Sequence, residues 1–326
     1  MNNQFWKDKR VFVTGCSGLL GSWLTAELLA QGSQVVGLIR DIVPHSELFQ
    51  SENINRINVI YGDLCDYALM ERVVAEYEID TIFHLAAQTI VGIANRSPMS
   101  TFETNIRGTW TLLEAARRNP TIERVIVASS DKAYGSQDEL PYYEDAPMQG
   151  LHPYDASKSC ADLIARTYAH TYDLPVVVTR CANLYGGGDL NWSRIIPGSI
   201  RSILQGAAPV IRSDGLFKRD YMYVKDAVHG YMLAAERATE PKIRGQAFNF
   251  GLETPVTALA VVEQIIALSE QPEIKPLILN EAKNEIEIQY LAAGKANELL
   301  GWQPQYQLEK GLAETMMWYE QFLQSH

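Results

Sequence analysis

The first half of the chain alternates short apolar runs with longer segments of helical periodicity, and this pattern limits the fold most. Strands joined by helices form parallel sheets through right-handed crossovers, and continuous Val/Ile runs are typical of strands buried on both faces. The pattern therefore predicts a doubly wound α/β fold. The predicted strands are Arg10–Thr14, Gln34–Ile39, Asn58–Tyr61, Thr81–Leu85, Arg124–Ser129 and Pro175–Arg180. The predicted helices are Leu19–Ala30, Tyr67–Tyr77, Thr101–Arg118 and Tyr154–Tyr172.

Glycines three residues apart follow the first predicted strand and begin the first predicted helix, in the run TGCSGLLG. Glycine permits a tight turn and a close approach of the backbone to a pyrophosphate, which then lies at the helix N-terminus. A glycine-rich turn without a ligand is the alternative, but the strand–turn–helix context favours a Rossmann-type dinucleotide site. The residues expected to contact the dinucleotide here are Gly15, Ser17, Gly18, Leu19, Leu20 and Gly21.

The ends of the next strands supply further cofactor candidates. Asp63 and Leu64 follow the third strand, where they could meet the adenine. The run HLAAQ places three small or apolar residues, Leu85, Ala86 and Ala87, beside the expected path of the dinucleotide. The histidine of this run, His84, is either near the ligand or a core residue whose ring nitrogens are hydrogen-bonded within the protein.

The residues after the second strand bear on the choice between NAD and NADP. An acidic residue there binds the ribose 2′-hydroxyl of NAD, whereas an arginine accepts the 2′-phosphate of NADP. This chain has Arg40 followed by Asp41. NAD is the expected cofactor, and Arg40 leaves NADP open.

The alternating pattern changes after Arg180. A glycine run, Gly186–Gly188, leads into irregular sequence, and a helical pattern at Asp226–Glu236 and the strand-like run AFNFG follow. We expect residues 1–182, with about 221–252, to form the dinucleotide-binding unit. Residues 183–220 and 253–326 are expected to form a smaller α/β region that binds the substrate.

The composition favours a cytoplasmic enzyme. The chain has 326 residues and 47% hydrophobic content, enough for one or two well-buried domains. A net charge of -11 argues against nucleic acid as a partner. The four cysteines lack metal-site or disulfide spacing, so we expect no metal and a reducing compartment. No apolar stretch approaches the roughly 20 residues that span a membrane, and the polar start lacks a signal-peptide pattern.

Tyr154 and Lys158 lie four residues apart in a predicted helix, so their side chains share one face. A nearby ammonium favours the phenolate and lowers a tyrosine pKa from its usual value of about 10. Such a tyrosine could take a proton from a hydroxyl near neutral pH. The spacing alone is common on ordinary helices, so its meaning depends on the motifs around it.

Seven motifs occur in an order that resembles the extended short-chain dehydrogenase/reductases that act on nucleotide sugars. They are TGCSGLLG, HLAAQ, TNIRGT, SSDKAYG, YDASK, RCANLYGGGD and RDYMYVKD, and they cover nearly the whole chain. Within that superfamily, AAQTIVG, SSDKAYG and NLYGGGD look like the CDP-glucose 4,6-dehydratase group. The resemblance implies a nucleotide-diphosphate sugar as substrate and a tightly bound NAD that is regenerated in each turnover. It also implies a homodimer formed through the helices Thr101–Arg118 and Tyr154–Tyr172.

The resemblance further implies roles for single residues. Tyr154 would deprotonate the sugar C4 hydroxyl, and Ser130 would hydrogen-bond the same hydroxyl. Lys158 would lower the pKa of Tyr154 and hold the nicotinamide ribose. Asn105 is placed with the cofactor site, in the helix that supports Tyr154. The expected substrate contacts are Gln88, Ser130, Asn183, Ile196, Arg212 and Arg219, of which Asn183 and Arg219 match positions that contact the diphosphate.

Asp131 and Lys132 decide the reaction class that the resemblance implies. Sugar 4,6-dehydratases carry an acid at the first position, which protonates the departing C6 hydroxyl, whereas simple 4-epimerases commonly carry a small neutral residue. The dTDP-glucose type has Glu at the second position as the base for the C5 proton, but this chain has Lys132, as the CDP-glucose type does. Lys132 could be that base if burial favours its neutral form, or it could stabilise the enolate while another group takes the proton. A turn or cap role for Asp131 and a solvated role for Lys132 are the non-catalytic alternatives.

The predicted reaction converts CDP-glucose to CDP-4-keto-6-deoxyglucose by C4 oxidation, loss of water across C5–C6 and hydride return to C6. Three alternatives stay open at this stage. One is a dehydratase for GDP-mannose or another nucleotide hexose, and the second is a nucleotide-sugar 4-epimerase that leaves Asp131 and Lys132 idle. The third is a non-catalytic dinucleotide sensor, against which the intact Ser130, Tyr154 and Lys158 set argues.

Overall fold

The computed structural model describes residues 4–281 and 286–325, and within them the strands form one large sheet and three small ones. In chain order the strands are β1 (Arg10–Thr14), β2 (Gln34–Ile39), β3 (Asn58–Tyr61), β4 (Thr81–His84), β5 (Arg124–Ala128), β6 (Val176–Cys181), β7 (Asn183–Tyr185), β8 (Val210–Ile211), β9 (Lys218–Arg219), β10 (Tyr221–Tyr223), β11 (Ala247–Phe250), β12 (Val256–Thr257), β13 (Leu277–Ile278) and β14 (Ile288–Gln289).

Helices connect most of these strands. In chain order they are α1 (Leu19–Ala30), α2 (Glu47–Gln50), α3 (Tyr67–Glu76), α4 (Val91–Arg96), α5 (Pro98–Phe102), α6 (Gly108–Arg118), α7 (Pro153–Tyr172), α8 (Ile195–Leu204), α9 (Val224–Glu236), α10 (Ala258–Leu268), α11 (Gly294–Leu300) and α12 (Leu308–Gln324). Short 3₁₀ helices occupy Asn53–Arg56 and Asp131–Tyr134, and a π turn occupies Glu103–Arg107.

The large sheet confirms the predicted doubly wound, Rossmann-type fold. Its seven strands are all parallel and lie in the order β11-β6-β5-β4-β1-β2-β3. Strand β1 pairs with β2 on one side and with β4 on the other, and the strand order reverses between β1 and β4. In open sheets of this kind, ligands bind in the crevice at the carboxyl ends of the strands beside such a reversal.

The core lies on both faces of this sheet, as the continuous apolar strands predict. Alternate residues of β1 point to opposite faces: Val11 and Val13 belong to one apolar cluster, and Phe12 belongs to the other. The first cluster includes Leu24 of α1 and Ala235 of α9. The second cluster is covered by α3, α6 and α7. This two-sided burial is what excludes water from the strands and leaves only their ends open to a ligand.

The predicted helix Thr101–Arg118 is wrong as a single element. The structure divides it into α5, the π turn Glu103–Arg107 and α6. The π turn carries the buried Asn105, which hydrogen-bonds residues outside its own helix. A Cβ at Gly108, the first residue of α6, would lie 2.5 Å from Leu64 Cδ2, so the chain closely approaches the loop after β3 there. Single π turns inside helices are frequent at functional sites.

The second half of the chain builds three small sheets: β10 with β7, β9 between β12 and β14, and β13 with β8. Helices α8, α10 and α12 enclose a third apolar cluster. Helix α9 and strand β11, by contrast, join the large sheet and its core. The division into two functional units at about residues 182, 221 and 252 stays a prediction. Among the described residues, no helix is both long enough and apolar enough to span a bilayer.

Candidate active site

The glycine turn after β1 has the shape of a phosphate cradle. Gly15 has a positive φ of +74°, and a Cβ there would lie 2.8 Å from the backbone nitrogen of Ala86. A Cβ at Gly21 would lie 2.1 Å from the Gly15 carbonyl oxygen. Gly18 precedes the first residue of α1, and Ser17, Leu19 and Leu20 are partly exposed in the same turn. Side chains at Gly15 and Gly21 would collide with the backbone of the loop after β4 and of the turn itself, so these glycines permit the tight turn that a pyrophosphate site at a helix N-terminus needs.

Strand β4 is fastened to β1 beside this turn. The Thr14 hydroxyl oxygen accepts hydrogen bonds from the backbone nitrogens of Leu85 and Ala86, both at 3.2 Å. His84 bonds Thr14 Oγ1 through Nδ1 and Thr109 Oγ1 through Nε2, each at 2.9 Å. Burial lowers the pKa of His84 to about 3. His84 is therefore a neutral core histidine, which settles the alternative left open by the sequence.

Asn105 connects the loop after β4 to α7 through hydrogen bonds. Its Oδ1 accepts from the backbone nitrogen of Gln88 at 2.7 Å, and its Nδ2 donates to the Gln88 carbonyl at 3.2 Å and to Ser157 Oγ at 2.8 Å. Ser157 Oγ in turn donates to the Tyr154 carbonyl at 2.6 Å. Both amide hydrogens of Asn105 are thus used within the protein. The structure gives Asn105 a supporting position between the loop after β4 and α7, and its expected place in the cofactor site stays a prediction.

The remaining cofactor candidates follow β2 and β3. Asp63 is exposed, with Oδ1 accepting from the Cys65 backbone nitrogen at 2.8 Å, while Leu64 is buried. Arg40 Nε lies 2.7 Å from Asp41 Oδ2, and the two side chains are 53% and 70% exposed. An exposed ion pair of this kind contributes roughly 0–1 kcal/mol, so Arg40 can leave it for a ligand. The geometry is compatible with either dinucleotide.

The predicted catalytic residues meet where β5 ends. Lys158 Nζ donates to the carbonyl oxygen of Ala128, the last residue of β5, at 2.8 Å. Ser130 Oγ donates to Asp131 Oδ1 at 3.0 Å and accepts from the Lys132 backbone nitrogen at 3.2 Å. The Tyr154 phenol forms a side-chain hydrogen bond with Ser130. All five residues that the sequence proposed as catalytic therefore share one buried or half-buried group.

Burial dominates the protonation of Tyr154 and Lys158. It raises the pKa of the Tyr154 phenol to about 12, with the Ser130 hydrogen bond acting in the opposite direction. It lowers the pKa of Lys158 to about 8, against the charge of Asp162, which favours the ammonium. The pKa of Tyr154 in this state of the chain is therefore raised, and the lowered pKa expected from its spacing with Lys158 is wrong. Removing a phenolate from water costs more than the Ser130 hydrogen bond and the Arg194 charge recover.

Two carboxyl groups flank Lys132. Asp131 is 4% exposed, and its Oδ2 lies 4.0 Å from Lys132 Nζ. Asp155, also buried, has a pKa raised by burial and lowered in part by the charge of Lys132. Lys132 Nζ donates to Gln289 Oε1, and Gln289 Nε2 donates to the Asp131 carbonyl at 3.1 Å. The Asp-Lys pair is thus part of a packed polar cluster, which excludes a solvated lysine.

Sequence reasoning missed three residues of this site. Asp155 stands next to Tyr154 in YDASK, so proximity to the catalytic tyrosine was an available signal. Arg194 precedes α8, and its charge acts on Tyr154, favouring the phenolate. Its Nη1 lies 2.8 Å from Oδ2 of Asp189, the acid that closes the GGGD run. Gln289 is 158 residues from Asp131 along the chain, and no motif marks it.

The predicted substrate contacts of the second half of the chain differ in their surroundings. Asn183 donates to the Asp220 carbonyl from its backbone nitrogen and from Nδ2, at 3.0 and 3.3 Å. Arg219 lies on β9 directly opposite Gln289 of β14, so strand pairing links it to the catalytic cluster. Ile196, by contrast, is 2% exposed and packs in the core of the second half, and its expected substrate contact stays a prediction. Arg212 is exposed on the loop after β8.

In the part of the chain that the structure describes, no three or more His, Cys, Asp or Glu side chains are grouped so that they could hold a metal ion. All four cysteines are free thiols. The chemistry of the site is therefore built from hydroxyl, carboxyl, amine and guanidinium groups around a glycine turn.

Comparisons with known proteins agree with this geometry. The family model described as GDP-mannose 4,6 dehydratase matches residues 12–315. The CDP-glucose 4,6-dehydratase of Salmonella typhimurium is 31% identical, with 99% of this chain and 94% of the relative covered. The UDP-glucose 4-epimerase of Mycolicibacterium smegmatis is 32% identical, with 95% and 98% covered. The crystal structure of DesIV, a dTDP-glucose 4,6-dehydratase from Streptomyces venezuelae with NAD and TYD bound, has a TM-score of 0.85 and 28% identity over 96% of this chain and 97% of that one.

The burial of Lys158 predicts a pH-dependent contribution to stability. The pKa of this lysine falls from 10.5 to about 8 on folding, so the folded state binds fewer protons between those values and its stability rises with pH there. Relative to Lys158→Met, the free energy of unfolding of the unmodified chain should increase by about 3 kcal/mol across that window, since each pKa unit is worth about 1.4 kcal/mol. Urea titrations at a series of pH values measure the difference.

The matched control is Lys242→Met, because Lys242 is exposed at the surface. This variant should show no comparable change of the free-energy difference with pH. A difference between the unmodified chain and Lys158→Met that stays constant from neutral to alkaline pH would contradict the burial of the amine.

Proposed function

The chain belongs to the GDP-mannose 4,6 dehydratase family of extended short-chain dehydrogenase/reductases, and we propose that it is a CDP-glucose 4,6-dehydratase that uses NAD. The observation that carries the proposal is the pair of a buried Asp131 and a half-buried Lys132 beside Ser130 and Tyr154. Dehydration needs a donor for the departing C6 hydroxyl and a group for the C5 proton, whereas 4-epimerisation needs neither. The chain supplies both groups at one place.

The residues around the glycine turn fit a dinucleotide. Gly15, Gly18 and Gly21 are proposed to let the pyrophosphate approach the backbone at the start of α1, and Asp63, which follows β3, is proposed to contact the adenine. Lys158 is proposed to hold the nicotinamide ribose. NAD bound in this way would accept a hydride from the sugar C4 and return it at C6. NADP is the alternative that Arg40 supports.

The first chemical role in the proposal is that of Tyr154. Its raised pKa keeps the phenol protonated in the ligand-free chain at neutral pH. We therefore propose that Tyr154 accepts the C4 proton only when the substrate is bound. In that state Ser130 would orient the sugar hydroxyl, and the charge of Arg194 would favour the phenolate. Lys158, directed at the Ala128 carbonyl, keeps its ammonium on the same face of α7 as the phenol.

The second role is elimination across C5–C6. A ketone at C4 acidifies the C5 proton, and Asp131 is proposed to protonate the leaving C6 hydroxyl. Lys132 is the first candidate for the C5 base or for stabilising the enolate. Asp155, a buried carboxyl with a raised pKa next to Lys132, is the other group that could take the proton.

In the proposal, arginine side chains bind the diphosphate of the substrate. Although the chain has a net charge of -11, Arg194 and Arg219 lie at or beside the catalytic cluster. A guanidinium fork suits a diphosphate. We assign Arg219 and Asn183 to the diphosphate and Gln88 to the sugar. CDP-glucose is favoured over other nucleotide sugars because the Asp-Lys pair resembles that group and a CDP-glucose relative matches along nearly the whole chain.

Three further assignments are part of the proposal. The dinucleotide would bind the unit of residues 1–182 with about 221–252, and the nucleotide sugar the region of 183–220 and 253–326. A cytoplasmic location is supported by the four free cysteines. A homodimer is supported by the outward faces of α6 and α7, which carry the exposed side chains of Trp110 (44%) and Leu163 (52%). Neighbouring exposed apolar side chains of this kind are typical of subunit interfaces.

The substrate assay that tests the proposed function uses CDP-glucose, dTDP-glucose, UDP-glucose and GDP-mannose separately, with product mass as the readout. We expect CDP-glucose to lose one water. A product of unchanged mass would support a 4-epimerase, the alternative that the similarity to the UDP-glucose 4-epimerase favours. The absence of any reaction would support a dinucleotide sensor, and dehydration of another sugar would correct the substrate.

In the same assay, Asp131→Asn should reduce dehydration by about 100-fold or more, because a positioned general acid contributes roughly 10²–10⁴-fold. C4 oxidation should persist, so the absorbance of enzyme-bound reduced nicotinamide should accumulate in a single turnover. The control is Asp138→Asn, an exposed aspartate in the following loop, which should react as the unmodified chain does. Full dehydration by Asp131→Asn would show that this residue is not the acid.

The dimer proposal is tested by adding charge to this face. The double variant Trp110→Glu, Leu163→Glu should be monomeric by size-exclusion chromatography with light scattering, because the new carboxylates would lose their contact with water in the proposed interface. The control is Leu216→Glu, which changes another exposed apolar side chain, and its measured mass should still be that of a dimer. A monomeric unmodified chain, or a double variant that stays dimeric, would contradict the use of this face.

A further inference from the structure

Gln289 reaches the catalytic turn from a distant part of the chain. It is the last residue of β14 and is 0% exposed. Its Nε2 donates to the carbonyl oxygen of Asp131 at 3.1 Å, and its Oε1 accepts from Lys132 Nζ. One buried amide therefore contacts both residues that distinguish dehydration from simple redox chemistry.

The two contacts define the orientation of the amide. A side-chain amide has donors on one side and an acceptor on the other. Rotating the amide of Gln289 by half a turn would set its oxygen against the Asp131 carbonyl and its N–H groups against the Lys132 amine. For a protonated Lys132 both new contacts would be repulsive, and the buried amide of Gln289 could not turn to water instead. The amide can therefore hold the amine of Lys132 on one side of the turn only.

We propose that Gln289 is the positioning residue for the elimination step. It holds the backbone of Asp131 and the amine of Lys132 so that the acid and its neighbouring amine keep their places at C6 and C5 of the sugar. This inference rests on the proposed dehydratase function. Because β14 pairs with β9 and Gln289 lies opposite Arg219, the same short sheet joins the elimination groups to the arginine assigned to the diphosphate.

The contacts make the effect specific to one step. C4 oxidation is assigned to Ser130, Tyr154 and Lys158, which are held by β5 and α7. Gln289 contacts Asp131 and Lys132 instead. Loss of its amide should therefore slow elimination and leave oxidation nearly unchanged, whereas general damage to the fold would slow both.

The experiment follows single turnovers of CDP-glucose by the NAD-loaded enzyme. It records the absorbance of reduced nicotinamide for oxidation and product mass for elimination. Gln289→Met keeps the length of the side chain and removes both hydrogen bonds. Elimination should fall by about 10- to 100-fold, the effect of a misplacement near 1 Å, and reduced nicotinamide should accumulate. Gln271→Met is the matched control, since the Gln271 amide donates to the Ile203 carbonyl in the second half.

A second variant, Gln289→Glu, keeps an acceptor for Lys132 and adds a negative charge. A carboxylate there favours the protonated amine, so the pH dependence of elimination should move to higher pH while that of oxidation stays in place. This readout does not depend on the stability of Gln289→Met.

The outcomes separate the inference from the function on which it rests. If the unmodified enzyme dehydrates CDP-glucose and both Gln289 variants eliminate water at its rate and with its pH dependence, the positioning role is overturned. Equal slowing of oxidation and elimination in both variants overturns it too. If the unmodified enzyme dehydrates no nucleotide sugar, the proposed function is overturned and this inference falls with it.

Discussion

Because all seven strands of the central sheet run in one direction, their carboxyl ends open at a single edge, and the whole site depends on this constraint. The glycine turn follows β1, the loop fastened by Thr14 follows β4, and the Ser130–Lys132 turn follows β5. The two-sided core closes the faces of the sheet to water. The Lys158–Ala128 hydrogen bond then ties α7, with Tyr154, to the same edge.

The interior beside this edge contains a buried ion pair. Arg180 and Asp162 are fully buried, and Arg180 Nε lies 2.8 Å from Asp162 Oδ2. Asp162 stands one helical turn after Lys158 in α7 and favours its ammonium. Arg180 Nη1 also donates to the Tyr134 hydroxyl, at the end of the turn that carries Asp131. Breaking a buried pair of this kind is costly, so the pair keeps β6, α7 and the catalytic turn in fixed relation.

Local patterns in the sequence were sufficient for the sheet and the glycine turn, because each is encoded by neighbours along the chain, whereas the catalytic roles came from the resemblance and stay predictions. Three predicted strands match β1, β2 and β3, and the other three differ from β4, β5 and β6 by one residue at one or both ends. The π turn at Glu103–Arg107 was not predicted because its cause is a tertiary contact, in which Asn105 reaches Gln88 and Ser157. The lowered pKa expected for Tyr154 failed for a similar reason, since helical spacing reports a nearby charge but not the burial that outweighs it. Gln289 and Arg194 come from distant segments and carry no local signal.

The central claim is that one site oxidises C4, eliminates water and returns the same hydride to C6. The most direct test uses CDP-glucose carrying deuterium at C4 in ordinary water, with the product examined by NMR and mass spectrometry. The account predicts a 4-keto-6-deoxy product in which the deuterium has moved to C6 without dilution. Deuterium lost to solvent, or retained at C4 in a product of unchanged mass, would contradict it.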